Sequence, residues 1–453
     1  MRIIGFDIGT TTLSAVVTDV KTGNILYAQT MPSSPFYDTA LSFERMQDAA
    51  WILDAAQNCI VQLCQQFAPI ASIGITGQMH GIVYLDADGN PVSPLYTWQD
   101  GRAAQSDQTG ETTLCRIQRL TGYSLSAGYG LATHTYNTAH NLVPAQAVKL
   151  CTIHDALVVR LCENLEPIMH VSDAASFGLY NFSLADFDRT ACEALFDLSI
   201  LPQVCAQSCT VGTFRGIPVS VAIGDNQASI LGTMSQDADA VLFNVGTGSQ
   251  VSVILRDPVS LSCGELRPYV NGTYLACGCS LCGGKALALL ERFFASYASL
   301  LGHNESQYPI IDHLAEQIPS IQDPVHFSTC FCGTREDPQK RASIENLTDT
   351  NFTPAHFVGG VMHGMAQELL AYYASFSTRP PLRLYGSGNG IRKSRALRQI
   401  FERALNLPMQ IPAHREEAAY GAALFSAASA GLASLEDLQK NIQYESNESS
   451  FSV

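Results

Sequence analysis

A carboxylate followed closely by a glycine and a run of hydroxyl residues can hold a phosphate together with its metal ion. The chain has one such run, Asp7-Ile8-Gly9-Thr10-Thr11-Thr12. Gly9 lets the backbone turn tightly and approach a ligand with no Cβ in the way. Thr10, Thr11 and Thr12 add hydroxyl and N–H donors. Asp7 ends an apolar run and suits Mg²⁺, which takes one or two carboxylates and keeps several waters. A second run, Asn244-Val245-Gly246-Thr247-Gly248-Ser249, offers another set of donors. Either turn alone is common in plain hairpins. Two of them, one in each half, are suited to clamping a polyphosphate.

Two further stretches bear on chemistry. Val221-Ala222-Ile223-Gly224-Asp225-Asn226-Gln227-Ala228-Ser229 reads as a buried strand ending at Gly224, with Asp225 opening a helix. Asp225 then has two readings. It is a helix N-cap contributing about 1 kcal/mol, or a carboxylate at the mouth of a cleft that takes a proton from a substrate hydroxyl; a cap does not exclude a base. Gly386-Ser387-Gly388-Asn389-Gly390 is a strand-to-helix turn that reads equally as a nucleotide loop or an ordinary one. Taken by itself, His80 reads as a hydrogen-bonded structural residue.

The elements that must position these residues repeat. Phe6, Asp7, Gly9 and Thr10 align with Phe243, Asn244, Gly246 and Thr247 at one constant offset, and β-branched strands flank both turns. Two halves opening with the same hairpin imply two domains of one fold facing each other. The boundary is expected near Gly232 to Asp239, giving residues 1–232 and 233–453. Ala49 to Phe67 has helical spacing (Ile52, Ala55, Ala56, Cys59, Ile60, Leu63), and Ala71 to Thr76 reads as a strand. In the second half Ala286–Tyr297 and Pro354–Phe376 are helical and Leu382–Tyr385 is a strand. Alternating β and α makes the class α/β. Glu436 to Val453 is expected to form a short helix and a frayed acidic tail.

Composition agrees with a large buried core. The chain has 453 residues, of which 46% are hydrophobic and 15% charged, so it is not a disordered chain. Lys plus Arg is 26 against 41 Asp plus Glu, a net charge of −15 that disfavours nucleic acid and anionic membranes. A phosphorylated ligand must therefore be held largely by backbone N–H groups, helix N-termini or a metal. No secretory or membrane-spanning run is present in the sequence, so a cytoplasmic protein is expected. The 14 cysteines are then reduced thiols rather than a disulfide framework. Cys277, Cys279 and Cys282 read as small thiols beside close backbone packing rather than as a metal site.

Together these motifs resemble the FGGY carbohydrate kinases, within the larger actin-like group of two-domain ATPases. The resemblance runs in order along nearly the whole chain. It takes in Gly77-Gln78-Met79-His80-Gly81, Trp98-Gln99-Asp100-Gly101-Arg102, Gly333-Thr334-Arg335 and Glu417-Ala418-Ala419-Tyr420-Gly421-Ala422-Ala423 besides the runs above. Thr97 to Arg102, Ser126 to Thr133, Thr152 to Asp155 and Ser172 to Ser176 are most similar to its sedoheptulose-phosphorylating members. The Lys and Trp usual after the first sugar-binding loop are missing around Thr133 to His140.

The resemblance implies two duplicated actin-like (ribonuclease H-like) α/β domains with an interdomain cleft, and ATP-dependent transfer of the γ-phosphate to a ketose hydroxyl. Sedoheptulose is expected first and xylulose second, in a monomer or homodimer. It makes Asp225 the general base and Asp7 the Mg²⁺ carboxylate. It places Thr10, Thr11, Thr12, Gly246, Thr247, Gly284, Gly388 and Asn389 at ATP. Met79, His80, Trp98, Asp100, Arg102 and Asn226 fall at the sugar, with Trp98 open to a packing role and Asp100 and Arg102 to a structural ion pair. A rival is a non-catalytic, ATP-gated, actin-like binding protein. Such a protein has no reason to carry Asp225 and the loop Gln78 to Gly81.

Overall fold

The computed structural model describes residues 1–445 apart from 108, 236–238, 335, 336, 338 and 378. The chain divides into two compact units. The first holds Met1–Gln236, Arg267–Thr273 and Glu416–Gln443; the second holds Asp237–Leu266, Tyr274–Arg415 and Tyr444–Val453.

In the first unit the β-branched run at the N-terminus forms the strand Arg2–Ile8. It pairs antiparallel with Thr12–Asp19 and parallel with Ile70–Gly77. Ile25–Pro32 extends one edge, and Ile217–Ser220 with Thr210–Phe214 extends the other. Alternate residues Ile4, Phe6 and Ile8 face one core with Leu13, Ala15 and Val17. The amphipathic helix Ala49–Gln66 buries Ile52, Ala56, Ile60 and Leu63 there. Asp48 caps it, accepting from the Trp51 N–H at 2.9 Å.

The second unit repeats the pattern. Ala240–Val245 pairs antiparallel with Ser249–Leu255 and parallel with Arg383–Ser387, and Ser249–Leu255 pairs with Tyr274–Ser280. Asp7 and Asn244 occupy the same place in the two sheets, each at the carboxyl end of the strand between an antiparallel and a parallel neighbour. Such ends are where open α/β sheets receive ligands. The helices Gly284–Leu300 and Pro354–Phe376 carry the expected helical runs. Cys277 and Cys282 are buried, and a Cβ at Gly278 would meet the Tyr372 ring at 2.3 Å. Leu435–Gln439 is a short helix. The expected frayed end, from 446 onward, and Arg335 of the Gly333-Thr334-Arg335 motif lie outside the described residues.

One long-range contact organises the first unit. The helix Glu417–Ser429 lies on its sheet so closely that a Cβ at Gly5 would stand 1.8 Å from the Ala419 carbonyl oxygen. One at Gly74 would stand 1.9 Å from that of Ala422. The same helix meets Asp225–Thr233 backbone to backbone: a Cβ at Gly421 would be 1.7 Å from the Ala228 oxygen. The small residues of the Glu417–Ala423 motif thus fix the helix that begins with Asp225.

Candidate active site

In the first unit the hairpin Ile8–Thr12 is tied from three sides. The Thr10 hydroxyl donates to Gln78 Oε1 at 3.2 Å and accepts from the Trp98 indole N–H at 3.0 Å, while Gln47 Nε2 donates to the Thr10 carbonyl at 2.8 Å. Thr11 and Thr12 remain exposed at the tip. Trp98 is 47% exposed, so it is held over the hairpin rather than packed in the core.

Asp100 and Arg102 form an ion pair. Their side chains are sealed from water, with Arg102 Nε 2.7 Å from Asp100 Oδ1. The other guanidinium nitrogens reach Asn137 Oδ1, Asp100 Oδ2 and the Met46 sulfur. With these donors engaged, the pair braces the Thr97–Arg102 loop that presents Trp98, as the structural ion-pair reading expects.

The loop after Ile70–Gly77 presents Met79 and His80. His80 has a left-handed backbone, φ 72°, a conformation that costs a non-glycine residue about 1–3 kcal/mol. The fold holds it there. Its N–H donates to Ser176 Oγ at 3.2 Å, its Nδ1 lies 2.7 Å from the Ser176 carbonyl, and its ring stacks on Tyr129 at 4.7 Å. Met79 is buried under Gly224, where a Cβ would meet its sulfur at 2.7 Å.

Asp225 opens the helix Asp225–Thr233, but Gly224 takes the N-cap position and no side chain caps the end. Gly224 N–H donates to Ser172 Oγ at 3.1 Å. The cap position therefore belongs to Gly224, and Asp225 is the first helical residue. Burial pushes the Asp225 carboxyl up to about 6, against the opposing pull of His154. Asp7 is pushed further, to about 8, by burial and then by the charges of Asp225 and Glu416. Asp7 Oδ1 is buried with no hydrogen-bond partner. A half-buried carboxylate with a like charge nearby and an orphaned oxygen is short of positive charge, which fits an Mg²⁺ ligand. Asn226 Oδ1 accepts from Arg267 at 3.0 Å.

Several residues here are absent from the site residues expected from the sequence. His154 and Asp173 form a buried pair beneath Gly77, and Glu416 and Arg267 come from distant segments. Only the fold gathers them.

In the second unit the Gly246–Gly248 turn sits on the start of the helix Gly284–Leu300. Gly284 N–H donates to the Gly246 carbonyl at 2.8 Å and Lys285 N–H to that of Thr247 at 3.1 Å. A Cβ at Gly283 would come within 2.5 Å of Gly248, which explains the paired glycines. Gly388, at φ +82°, packs over Val245, and Asn244 Nδ2 donates to Ser387 Oγ at 2.7 Å. Gly246, Thr247, Gly284 and Gly388 are thereby gathered at one strand end. Thr247 and Asn389 are exposed there.

Residues 2–232 match the model of the N-terminal domain of the FGGY family of carbohydrate kinases, and residues 241–430 match its C-terminal domain. The chain belongs to the FGGY family of carbohydrate kinases. It is therefore a phosphotransferase with an alcohol group as acceptor, acting on a small sugar with ATP. The FGGY chain is 27% identical over 416 residues to human sedoheptulokinase, covering 84% of this chain and 86% of that one. It is 27% identical over 457 residues to the xylulose kinase of Streptomyces coelicolor, covering 96% and 89%. Its fold matches the ligand-bound xylulose kinase from Lactobacillus acidophilus with TM-score 0.82 at 20% identity, over 98% and 93% of the two chains. Plasmodium falciparum glycerol kinase with ADP gives 0.81 at 18%, over 98% and 93%. The two-domain, actin-like FGGY fold is established on these matches. Among the described residues no helix is long and apolar enough to cross a membrane.

Proposed function

We propose that this FGGY kinase phosphorylates a ketose, with sedoheptulose as the first candidate and xylulose as the second, using Mg·ATP in the cytoplasm. The substrate order rests on the similarity to human sedoheptulokinase together with the Ser126–Thr133 and Ser172–Ser176 stretches. In this reading residues 1–232 carry the sugar site and base, and residues 233–453 carry the second phosphate turn and nucleotide contacts.

Asp225 is the general base. The observation that carries this is its position at an uncapped helix start, with a carboxyl of pKa about 6. A base near that value is ionised at neutral pH yet retains proton affinity, the compromise that general-base catalysis favours. Met79, His80, Trp98 and Asn226 contact the sugar. The strained His80 backbone and its stack on Tyr129 fix the ring's direction before substrate arrives. Thr10, Thr11 and Thr12 in the first unit, and Gly246, Thr247, Gly284, Gly388 and Asn389 in the second, meet ATP. Asp7 would hold Mg²⁺, which neutralises phosphate charge when bound. Phosphoryl transfer has a loose transition state, so these residues act mainly by positioning and by supplying donors. An ADP-release assay across ketoses, aldoses and polyols tests the reading: the highest kcat/KM should fall on sedoheptulose. A panel in which a polyol or aldose leads by an order of magnitude overturns it.

A further inference from the structure

Cys205 and Cys209 place their sulfurs 3.4 Å apart, in contact, across the loop Cys205–Cys209. Both are partly exposed. A disulfide needs about 2.05 Å between sulfurs, so a small closure of this loop would join them. Each cysteine is also fastened to an element of the candidate active site. Cys205 ends the strand Gln203–Cys205, which pairs parallel with Ile168–His170, Cys205 opposite His170. The helix that follows, Val171–Phe177, supplies Ser172 to Gly224, Asp173 to His154 and Ser176 to His80. The Cys209 carbonyl accepts from Val221 N–H at 2.9 Å, at the head of the segment that ends in Gly224 and Asp225.

We propose that Cys205 and Cys209 form a reversible, peroxide-sensitive dithiol site whose closure to a disulfide lowers turnover. The effect on turnover rests on the kinase reading above; formation of the disulfide does not. The chemistry balances with hydrogen peroxide as oxidant. The Cys205 thiolate attacks one peroxide oxygen, the O–O bond breaks, and hydroxide leaves and is protonated to water. Cys205 is then a sulfenic acid. Cys209 sulfur attacks it, the S–O bond breaks, the S–S bond forms, and a second water leaves with the Cys209 proton. Two thiols are oxidised by two electrons, and one peroxide is reduced to two waters. A dithiol reductant reverses the change by thiol–disulfide exchange.

The environment assigns the two roles. The hydrogen bond from Cys209 holds the Cys205 thiol down, to about 6 and against its burial, and the same bond pushes Cys209 up. Cys205 is thus the thiolate that meets peroxide and Cys209 the resolving thiol. Closure draws together the strand beside His170 and the segment leading to Asp225, and a displacement of about 1 Å at reacting groups can cost on the order of 10²-fold in rate.

The full-length protein is treated with graded hydrogen peroxide, free thiols are alkylated, and peptides are mapped by mass. At the lowest effective dose the peptide holding Cys205 and Cys209 should lose two hydrogens while the remaining cysteines stay alkylatable. Turnover should fall several-fold and return with dithiothreitol. Cys209→Ser should keep basal turnover, form no disulfide, and leave Cys205 as a sulfenic acid trapped by dimedone. Failure of that peptide to lose two hydrogens before other cysteines react overturns the site. A disulfide that leaves turnover unchanged, or equal reversible inactivation of Cys209→Ser, overturns the link to activity. If no sugar is phosphorylated at all, the kinase reading fails while the peptide map still decides the disulfide.

Discussion

His154 Nε2 lies 3.1 Å from Asp173 Oδ1, and neither side chain has any exposure to water. Burial alone would depress the imidazole; Asp173 outweighs it, with help from Asp155 and Asp225, and raises His154 to about 9. The imidazolium in turn lowers both Asp7 and Asp225. A buried cation beneath Gly77 thus keeps two crowded carboxylates ionisable.

The pH profile should show this. With Asp225 near 6, kcat/KM should fall as pH drops through about 6. His154→Gln removes a positive charge, so the acid limb should move to higher pH while sugar KM at pH 8 changes little. An unmoved limb would make His154 a packing residue only.

Asp173→Asn should destabilise the fold by about 3–5 kcal/mol, because it strands a buried charge. The double variant with His154→Gln should recover much of that loss. Urea unfolding of the three variants measures the coupling. Additive losses would contradict a buried charge pair.

Asp225→Asn should lower kcat by about 10²- to 10⁴-fold and leave nucleotide binding intact. It should also raise Tm at pH 8. A carboxyl raised above its ordinary value holds a proton in the folded state that the unfolded chain has already lost. Stability therefore falls as pH rises from about 4 to about 6 and stays lowered above. The amide removes this penalty, so the Tm difference should vanish near pH 4.

Asp7→Asn should behave likewise over a wider window, since Asp7 reaches about 8. Mg²⁺ added at pH 8 should raise the Tm of the parent protein and not that of the variant. Equal Mg²⁺ responses would take the metal from Asp7.

Gly421→Ala puts a methyl where the Ala228 carbonyl oxygen stands 1.7 Å away. Overpacking typically costs about 1–3 kcal/mol, and here the neighbour is backbone and cannot rotate aside. Tm should fall at least as far as that range implies, and kcat with it, because the helix bearing Asp225 must move. Wild-type Tm would show that the two helices have room to part.

The sequence by itself determined the elements and their repetition. Turn chemistry and periodicity are local, so Gly9 with Thr10 and Gly246 with Thr247 announce the two hairpins, and Ile52, Ala56, Ile60 and Leu63 announce the helix between strands. The ordered motifs identified the family for the same reason: each is a short run whose residues act together. Tertiary structure alone decided what lies behind them. Arg102 carries both a ligand and an ion-pair reading in the sequence, and only the fold brings Asn137, far along the chain, to share its guanidinium with Asp100. Asp225 reads as a cap or a base, and the fold puts Gly224, not Asp225, at the cap position. His154 and Asp173 lie in family-like stretches that give them no role, and Glu416 and Arg267 stand in no motif, yet together they set the charge around Asp7 and Asp225. Buried electrostatics depends on which charges meet across the fold and how much water is excluded, and neither is written in the spacing of one segment.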